Sequence, residues 1–247
     1  ATIAVQIKEN LMWIVYPNVD FADNDLNVWA QRYNYSLKRI SIPITFTHLS
    51  LTGNQDKLKA RVQFGFTRKL EFGYVSPFLD KKQTWRLSSE FLLSDDKEAR
   101  FLTIGDRDSF LRNEDQRLFN RVRLGTGAIF RPDLFDTHEL QLRYLNFSIQ
   151  PEVAEANPNF FLDGKRRQQF FAIRYQFTSD RRNYNLYPTK GYFLRLSAEK
   201  EGLGIWNDRN AFILSGLAMK YFSILPKWSA VTSLEGETNL VRTQSAY

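Results

Sequence analysis

The chain has 247 residues and a net charge of +7, from 34 Lys+Arg against 27 Asp+Glu, a length that allows a sizeable core in one large domain or two small ones. With no cysteine and only His48 and His138, disulfide frameworks, thiolate metal sites, cysteine nucleophiles and His-rich zinc sites are excluded. Aromatic residues are abundant, with 21 Phe, 11 Tyr and 5 Trp, yet mean hydropathy is only −0.42.

The first ten residues, ATIAVQIKEN, lack a basic region followed by a small-residue cleavage site. They do not read as a signal peptide, so either the protein is not exported or this is an interior piece of a longer one. The longest stretch without a charge, Ile40 to Gln55, is broken by Ser, Pro, Thr, His, Gly and Asn. No run therefore approaches the ~18 apolar residues of a membrane helix, and any crossing must use strands. Alternation at period 2 dominates the rest of the chain. Between Lys57 and Thr67, Leu58, Ala60, Val62, Phe64 and Phe66 share one face, while Lys57, Lys59, Arg61, Gln63, Gly65 and Thr67 share the other. Leu70, Phe72, Tyr74 and Phe78 repeat the pattern against Lys69, Glu71 and Gly73.

In chain order the pattern predicts eleven strands. They lie at about Leu11 to Tyr16, Leu37 to Leu49, Lys57 to Thr67, Lys69 to Phe78, Gln83 to Leu93, Arg121 to Phe130, Glu139 to Ile149, Gln169 to Asp180, Gly191 to Lys200, Ala211 to Tyr221 and Trp228 to Leu240. Most run ten residues or more, whereas strands of soluble sheets centre on roughly 5 to 6 and tilted bilayer-crossing strands on roughly 9 to 11. The even-numbered connections are short: LTGNQD, SPFLDKK, RPDLFDTH, RRNYNLYPTK and SILPK. Most odd ones are long, as in PNVDFADNDLNVWAQRYNYS, SDDKEARFLTIGDRDSFLRNEDQ and PEVAEANPNFFLDGKRRQ. Short turns at one rim and long loops at the other, with Trp13, Trp85 and Trp228 available for interfacial girdles, predict an all-β, transmembrane antiparallel barrel, its apolar face to lipid and its charged face to the lumen. A soluble sandwich or closed barrel also alternates. Strand length, loop asymmetry and the bulk of the apolar face favour the membrane.

No GxSxG, HExxH, GxGxxG or Walker pattern is present, so the chain is expected not to be an enzyme and to hold no cofactor or metal. Pairs such as Asp95 and Asp96, or Glu235 and Glu237, read as loop or lumen-wall charges. The basic clusters Lys165, Arg166, Arg167 and Arg181, Arg182 read as rim patches facing lipopolysaccharide phosphates or periplasmic partners rather than nucleic acid.

Three segments carry a resemblance. ATIAVQIKEN, with Ile3, Val5 and Ile7 alternating into Lys8 and Glu9, resembles a last POTRA strand. RKLEFGYVSPFLDKKQ, with Ser76, Pro77 and Phe78, resembles a strand ending in a periplasmic corner. SDRRNYNLYPTKGYFLRL, through Asp180, Arg182, Asn183, Tyr187, Pro188, Thr189 and Gly191, is similar to an Asp-x-Arg-Asp-Asn…Phe-Pro-Thr-x-Gly segment. Together they resemble the BamA/TamA superfamily of outer-membrane protein assembly factors, nearest its BamA branch, in which POTRA domains precede a sixteen-stranded barrel.

From the residues alone, Asp180 continues the polar face of Arg174, Gln176 and Thr178, while Pro188, Thr189 and Gly191 form a turn. The resemblance implies that the inner wall at Arg174, Asp180 and Asn183 receives the arginine of a loop that folds back into the barrel. It further implies residues 1–10 as the end of a POTRA-like domain, 11–240 as eleven of sixteen barrel strands and 241–247 as the start of the sixth extracellular loop.

By the same resemblance the function is that of an insertase in the outer membrane of a Gram-negative cell. Unfolded barrel proteins would be its clients, lipid and lipopolysaccharide its surroundings, and periplasmic or lipoprotein subunits its accessories, with no nucleic acid. Clients would add to a lateral edge formed by Trp13, Ile14, Val15 and Tyr16, a short strand stopped by Pro17. The rivals are a TamA-like translocation barrel, a passive porin whose lumen is lined by Lys57, Lys59, Arg61, Arg121, Arg123 and Arg174, and a soluble lipid-binding β protein.

Overall fold

The computed structural model describes residues 12–22, 26–104, 107–113, 115–161, 164–206, 209–225 and 228–241. Residues 1–10, expected to close a POTRA-like domain, and 242–247, most of the expected loop start, lie outside them, as does Leu11, the expected start of the first strand. The elements are β1 (Trp13–Pro17), β2 (Asp20–Phe21), α1 (Leu26–Tyr33), β3 (Ile40–Leu49), β4 (Lys57–Gly65), β5 (Thr67–Val75), β6 (Trp85–Asp96), β7 (Glu98–Ile104) and β8 (Arg107–Arg112). They continue with β9 (Phe119–Phe130), β10 (Asp136–Ile149), α2 (Pro151–Ala156), β11 (Arg167–Asp180), β12 (Gly191–Glu201), β13 (Ala211–Leu225) and β14 (Trp228–Asn239).

Among the described residues twelve strands form one antiparallel sheet: eleven follow the order β1-β3-β4-β5-β6-β9-β10-β11-β12-β13-β14, and the two-residue β2 pairs with β3 off this path. The eleven on this path are those that alternation predicts. The sheet is a partial transmembrane barrel, and its two faces invert the rule for soluble proteins. Phe64, Leu70, Phe72, Leu87, Leu124, Leu140 and Leu196 on one face are exposed, while Thr45, Gln63, Ser94, Asp96, Arg143 and Glu201 on the other are buried. Large exposed apolar side chains around a packed polar interior are what a lipid-facing wall requires.

The long connections leave from one rim, where the β4–β5 link at Phe66 is the tight exception, and the opposite rim carries short turns. Trp13, Trp85 and Trp228 each open a strand at the turn rim, so the three tryptophans make one girdle rather than two. Trp85 stacks on Phe130 at 4.6 Å, and His138, within β10, donates to or accepts from the Tyr175 hydroxyl at 2.7 Å.

The loop rim is more ordered than the sequence suggests. The segment expected to be a loop at 94–116 holds the hairpin β7–β8, and α1 and α2 lie in the neighbouring connections. Ala99, Leu118, Phe119, Ile149, Val153, Phe160 and Phe161 form a hydrophobic core there. Arg39 is buried against the Tyr33 and Phe66 rings, at 3.9 and 4.9 Å, and pairs with Glu98 at 3.3 Å. Arg112 reaches the same carboxylate at 2.7 Å and the Tyr33 hydroxyl at 3.0 Å. Phe66 thereby departs from its expected lipid-facing place. β4 ends at Gly65, whose φ of +112° breaks the alternation, and a Cβ there would lie 2.2 Å from the Ile40 carbonyl oxygen.

Candidate functional site

The strand at one end of the sheet is short. β1 pairs with β3 over five positions, from Trp13 opposite His48 to Pro17 opposite Ile44. All five of its residues are exposed, and among the described residues no strand pairs with its other side. Trp13, Ile14, Val15 and Tyr16 thus present one row of backbone groups to β3 and a second row outward. Trp13 anchors the strand through its ring, 4.2 Å from His48 and 4.9 Å from Phe46. Pro17 lacks an N–H but interrupts the pairing rather than ending it. The Asn18 N–H donates to the Pro43 carbonyl at 2.9 Å, and β2 resumes on β3 through Asp20 and Phe21. With each ladder bond worth about 0.5–1.5 kcal/mol net, β1 is held far more weakly than β10, which matches β11 at thirteen positions from Asp136 to Ser148.

Along the inner wall the expected basic lining is present, and three of its four arginines, together with Arg143, pair with acids. Arg61 pairs with Asp20 at 2.8 Å, Arg121 with Asp96 at 2.5 Å, Arg123 with Glu90 at 3.4 Å, and Arg143 with Glu199. Lys57 and Lys59 share the face of Arg61. Arg174 lies opposite Glu199 and donates to the Gln176 side-chain oxygen at 2.9 Å. Acids from nearby strands thus pair with much of this basic wall.

Asp180 and Asn183 sit together at the turn rim but serve different ends. Asp180 ends β11, and its two oxygens accept from Arg182 at 2.8 and 2.6 Å. Arg182 in turn lies over the Phe193 ring at 4.9 Å. Asn183 spends its amide within the turn: its oxygen accepts from the Thr189 and Lys190 N–H groups at 3.0 and 3.1 Å, and its nitrogen donates to the Thr189 hydroxyl at 2.8 Å. Gly191, at φ +106°, is required because a Cβ would lie 2.1 Å from the Arg181 carbonyl oxygen. Pro188, Thr189 and Gly191 therefore belong to a clasped turn that launches β12.

A similar clasp, not expected from the sequence, recurs at three of the other short turns. Asp56 accepts from the Thr52 N–H and hydroxyl at 3.0 and 3.1 Å. Asp80 accepts from Thr84 and from the Trp85 N–H, each at 2.8 Å. Asp133 accepts from the Phe135 and Asp136 N–H groups at 2.7 Å. The Trp85 N–H first, with Thr84, holds the Asp80 carboxyl below its ordinary value. The Asp136 and Phe135 N–H groups do the same for Asp133. The signal was an Asp or Asn within the turn, a residue type whose side chain hydrogen-bonds nearby backbone N–H groups.

Comparison with known proteins adds the family. The Omp85 superfamily domain matches residues 51–245. No curated protein matches the chain significantly. Among solved structures, the chain is similar to BamA from Haemophilus ducreyi lacking POTRA domains 1–3, with 14% identity and a TM-score of 0.58, over 94% of this chain and 42% of that one. The chain thus spans less than half the length of that relative.

Proposed function

The chain belongs to the Omp85 superfamily, and we propose that it is the gate-bearing part of an outer-membrane insertase, which folds client barrels by letting their strands add to β1. The observation that carries this reading is how little holds β1: it is five residues long, interrupted by Pro17, and matched to β3 at five positions where β10 is matched to β11 at thirteen. An unpaired row of N–H and C=O groups templates an incoming strand by β-augmentation. Clients of any sequence can use it, because the recognition is of backbone. Such work needs no nucleotide, cofactor or catalytic side chain.

In this reading the turn rim faces the periplasm of a Gram-negative cell, where POTRA domains and lipoprotein subunits deliver clients. The loop rim faces lipopolysaccharide. An inward-folded loop docks its arginine on the inner wall at Asp180, whose carboxylate has acceptor sites left beside Arg182. The paired arginines support this reading over a passive anion pore.

In the full-length protein, a disulfide between β1 and the last barrel strand tests the proposal. The locked protein should remain folded and stop inserting other barrels. Normal insertion by the locked form would overturn the lateral-edge mechanism, and ion conductance by the unlocked barrel with no insertion would favour the pore. Secretion of a client domain with no barrel insertion would favour a TamA-like translocation role.

A further inference from the structure

We propose that the outer wall over β9, β10 and β11 carries a specific site for one phosphate-bearing membrane lipid of net negative headgroup charge. It rests on the barrel's orientation toward lipid and not on the insertase reading. Side chains on this face fall into a vertical order fixed by register. Nearest the loop rim stands Arg167, exposed, with its Nε donating to the Asn146 side-chain oxygen at 3.2 Å. One step down, Asn146 lies opposite Gln169, and the Tyr144 hydroxyl donates to the Gln169 side-chain oxygen at 3.1 Å. Tyr144 in turn lies opposite Phe171 on one side and Leu124 on the other. Lowest come Leu142 opposite Thr126, and Thr126 opposite Ser89. The order is cationic, polar, aromatic, and then leucine beside two small hydroxyl residues, and so polarity falls from the rim inward as it does in a lipid from phosphate to acyl chain.

The lower part is a trough of about 640 Å³. Its floor is low because Ser89 and Thr126 are small where their neighbours Leu124 and Leu142 are large. Trp206 roofs it. This residue returns from the β12–β13 connection with φ +68°, a left-handed conformation rare for an aromatic residue. Its ring stacks on Phe171 at 5.5 Å and 17° and meets Tyr144 at 5.7 Å. A loop tryptophan is thus held over a recess that opens on the lipid-facing wall. Indole and phenol rings suit this boundary, having an apolar body and a polar edge. Above the trough, the exposed Arg167, with Arg166 beside it in sequence, presents guanidinium N–H groups, which bind phosphate oxygens bidentately. A phosphate is thus offered a cation at the same end of the column as the headgroup, and an acyl chain a channel beneath it.

The test is native mass spectrometry of the full-length protein released from detergent. The probes are phosphatidylglycerol and phosphatidylcholine of equal chain length, with inorganic phosphate as a third arm. We expect one phosphatidylglycerol retained about tenfold more strongly than phosphatidylcholine. Arg167→Gln should erase the preference, Trp206→Ala should weaken retention of both lipids, and Trp206→Phe should restore it, which separates loss of the roof from misfolding. Equal retention of the two lipids by the wild type, or variants that retain them as it does, would overturn the proposal. Displacement of the lipid by millimolar phosphate would also overturn it, in favour of a bare anion site.

Discussion

β10 and β11 match at thirteen positions, and β1 and β3 at five, within one continuous sheet. The difference extends to the side chains. Around β10 the inner wall is locked by Arg143 and Glu199, with Arg174 opposite the same glutamate. Around β1 the residues are exposed on both faces, and the nearest inner-wall pair, Arg61 with Asp20, reaches to β2 rather than to β1. A barrel can therefore be stable as a whole and weak at one seam, because ladder length and buried ion pairs are distributed unevenly along the sheet.

The largest expected effect breaks the strong side. Arg143 is 8% exposed, and Arg143→Ala leaves Glu199 without its partner in a packed wall. We expect a loss of about 3–5 kcal/mol in urea unfolding of the full-length barrel in lipid, whereas Val15→Ala in β1 should cost under about 1 kcal/mol. Near-equal losses would mean that the two regions are held alike.

The outer wall should treat both regions alike. Val62→Arg in β4 and Leu142→Arg in β10 should each cost about 2–4 kcal/mol if both lie near the midplane, measured by the same unfolding. Tolerance of arginine at Val62 alone would place the edge region outside the membrane. Smaller effects belong to the turns. Gly191→Ala should cost about 1–3 kcal/mol and slow refolding into bilayers, since its Cβ would collide with the Arg181 carbonyl oxygen.

The smallest effect is one of pH. A carboxyl group held below its ordinary value of about 3.9 in the folded chain contributes stability above that value and loses it as pH falls through the lower, folded one. Asp80 and Asp133 are such groups. Amide exchange at Trp85 and Asp136 should accelerate below about pH 4 while the amides in the middle of β10 stay protected.

The sheet was legible in the sequence because each strand carries its own alternation, and a wall with lipid on one side enforces it at residue after residue. The exceptions are where local rules yield to tertiary contact. Phe66 turns from the lipid side to cover Arg39 because Gly65 breaks the alternation. The hairpin β7–β8 is mixed in polarity because it packs on the rim and on α2 rather than in the bilayer. Asp180 was placed on the inner wall by its period, but its pairing with Arg182 two residues on arises from the bend after β11, which no period encodes. Trp206, in a polar connection, gave no sign that it folds onto Phe171.

The central claim is that β1 is where other chains meet this one. A photoreactive residue at Val15, compared with one at Leu142, in full-length protein assembling a barrel client tests it directly. The account predicts client adducts from Val15 and none from Leu142. Equal adducts from both positions, or assembly that proceeds with none from Val15, would contradict it.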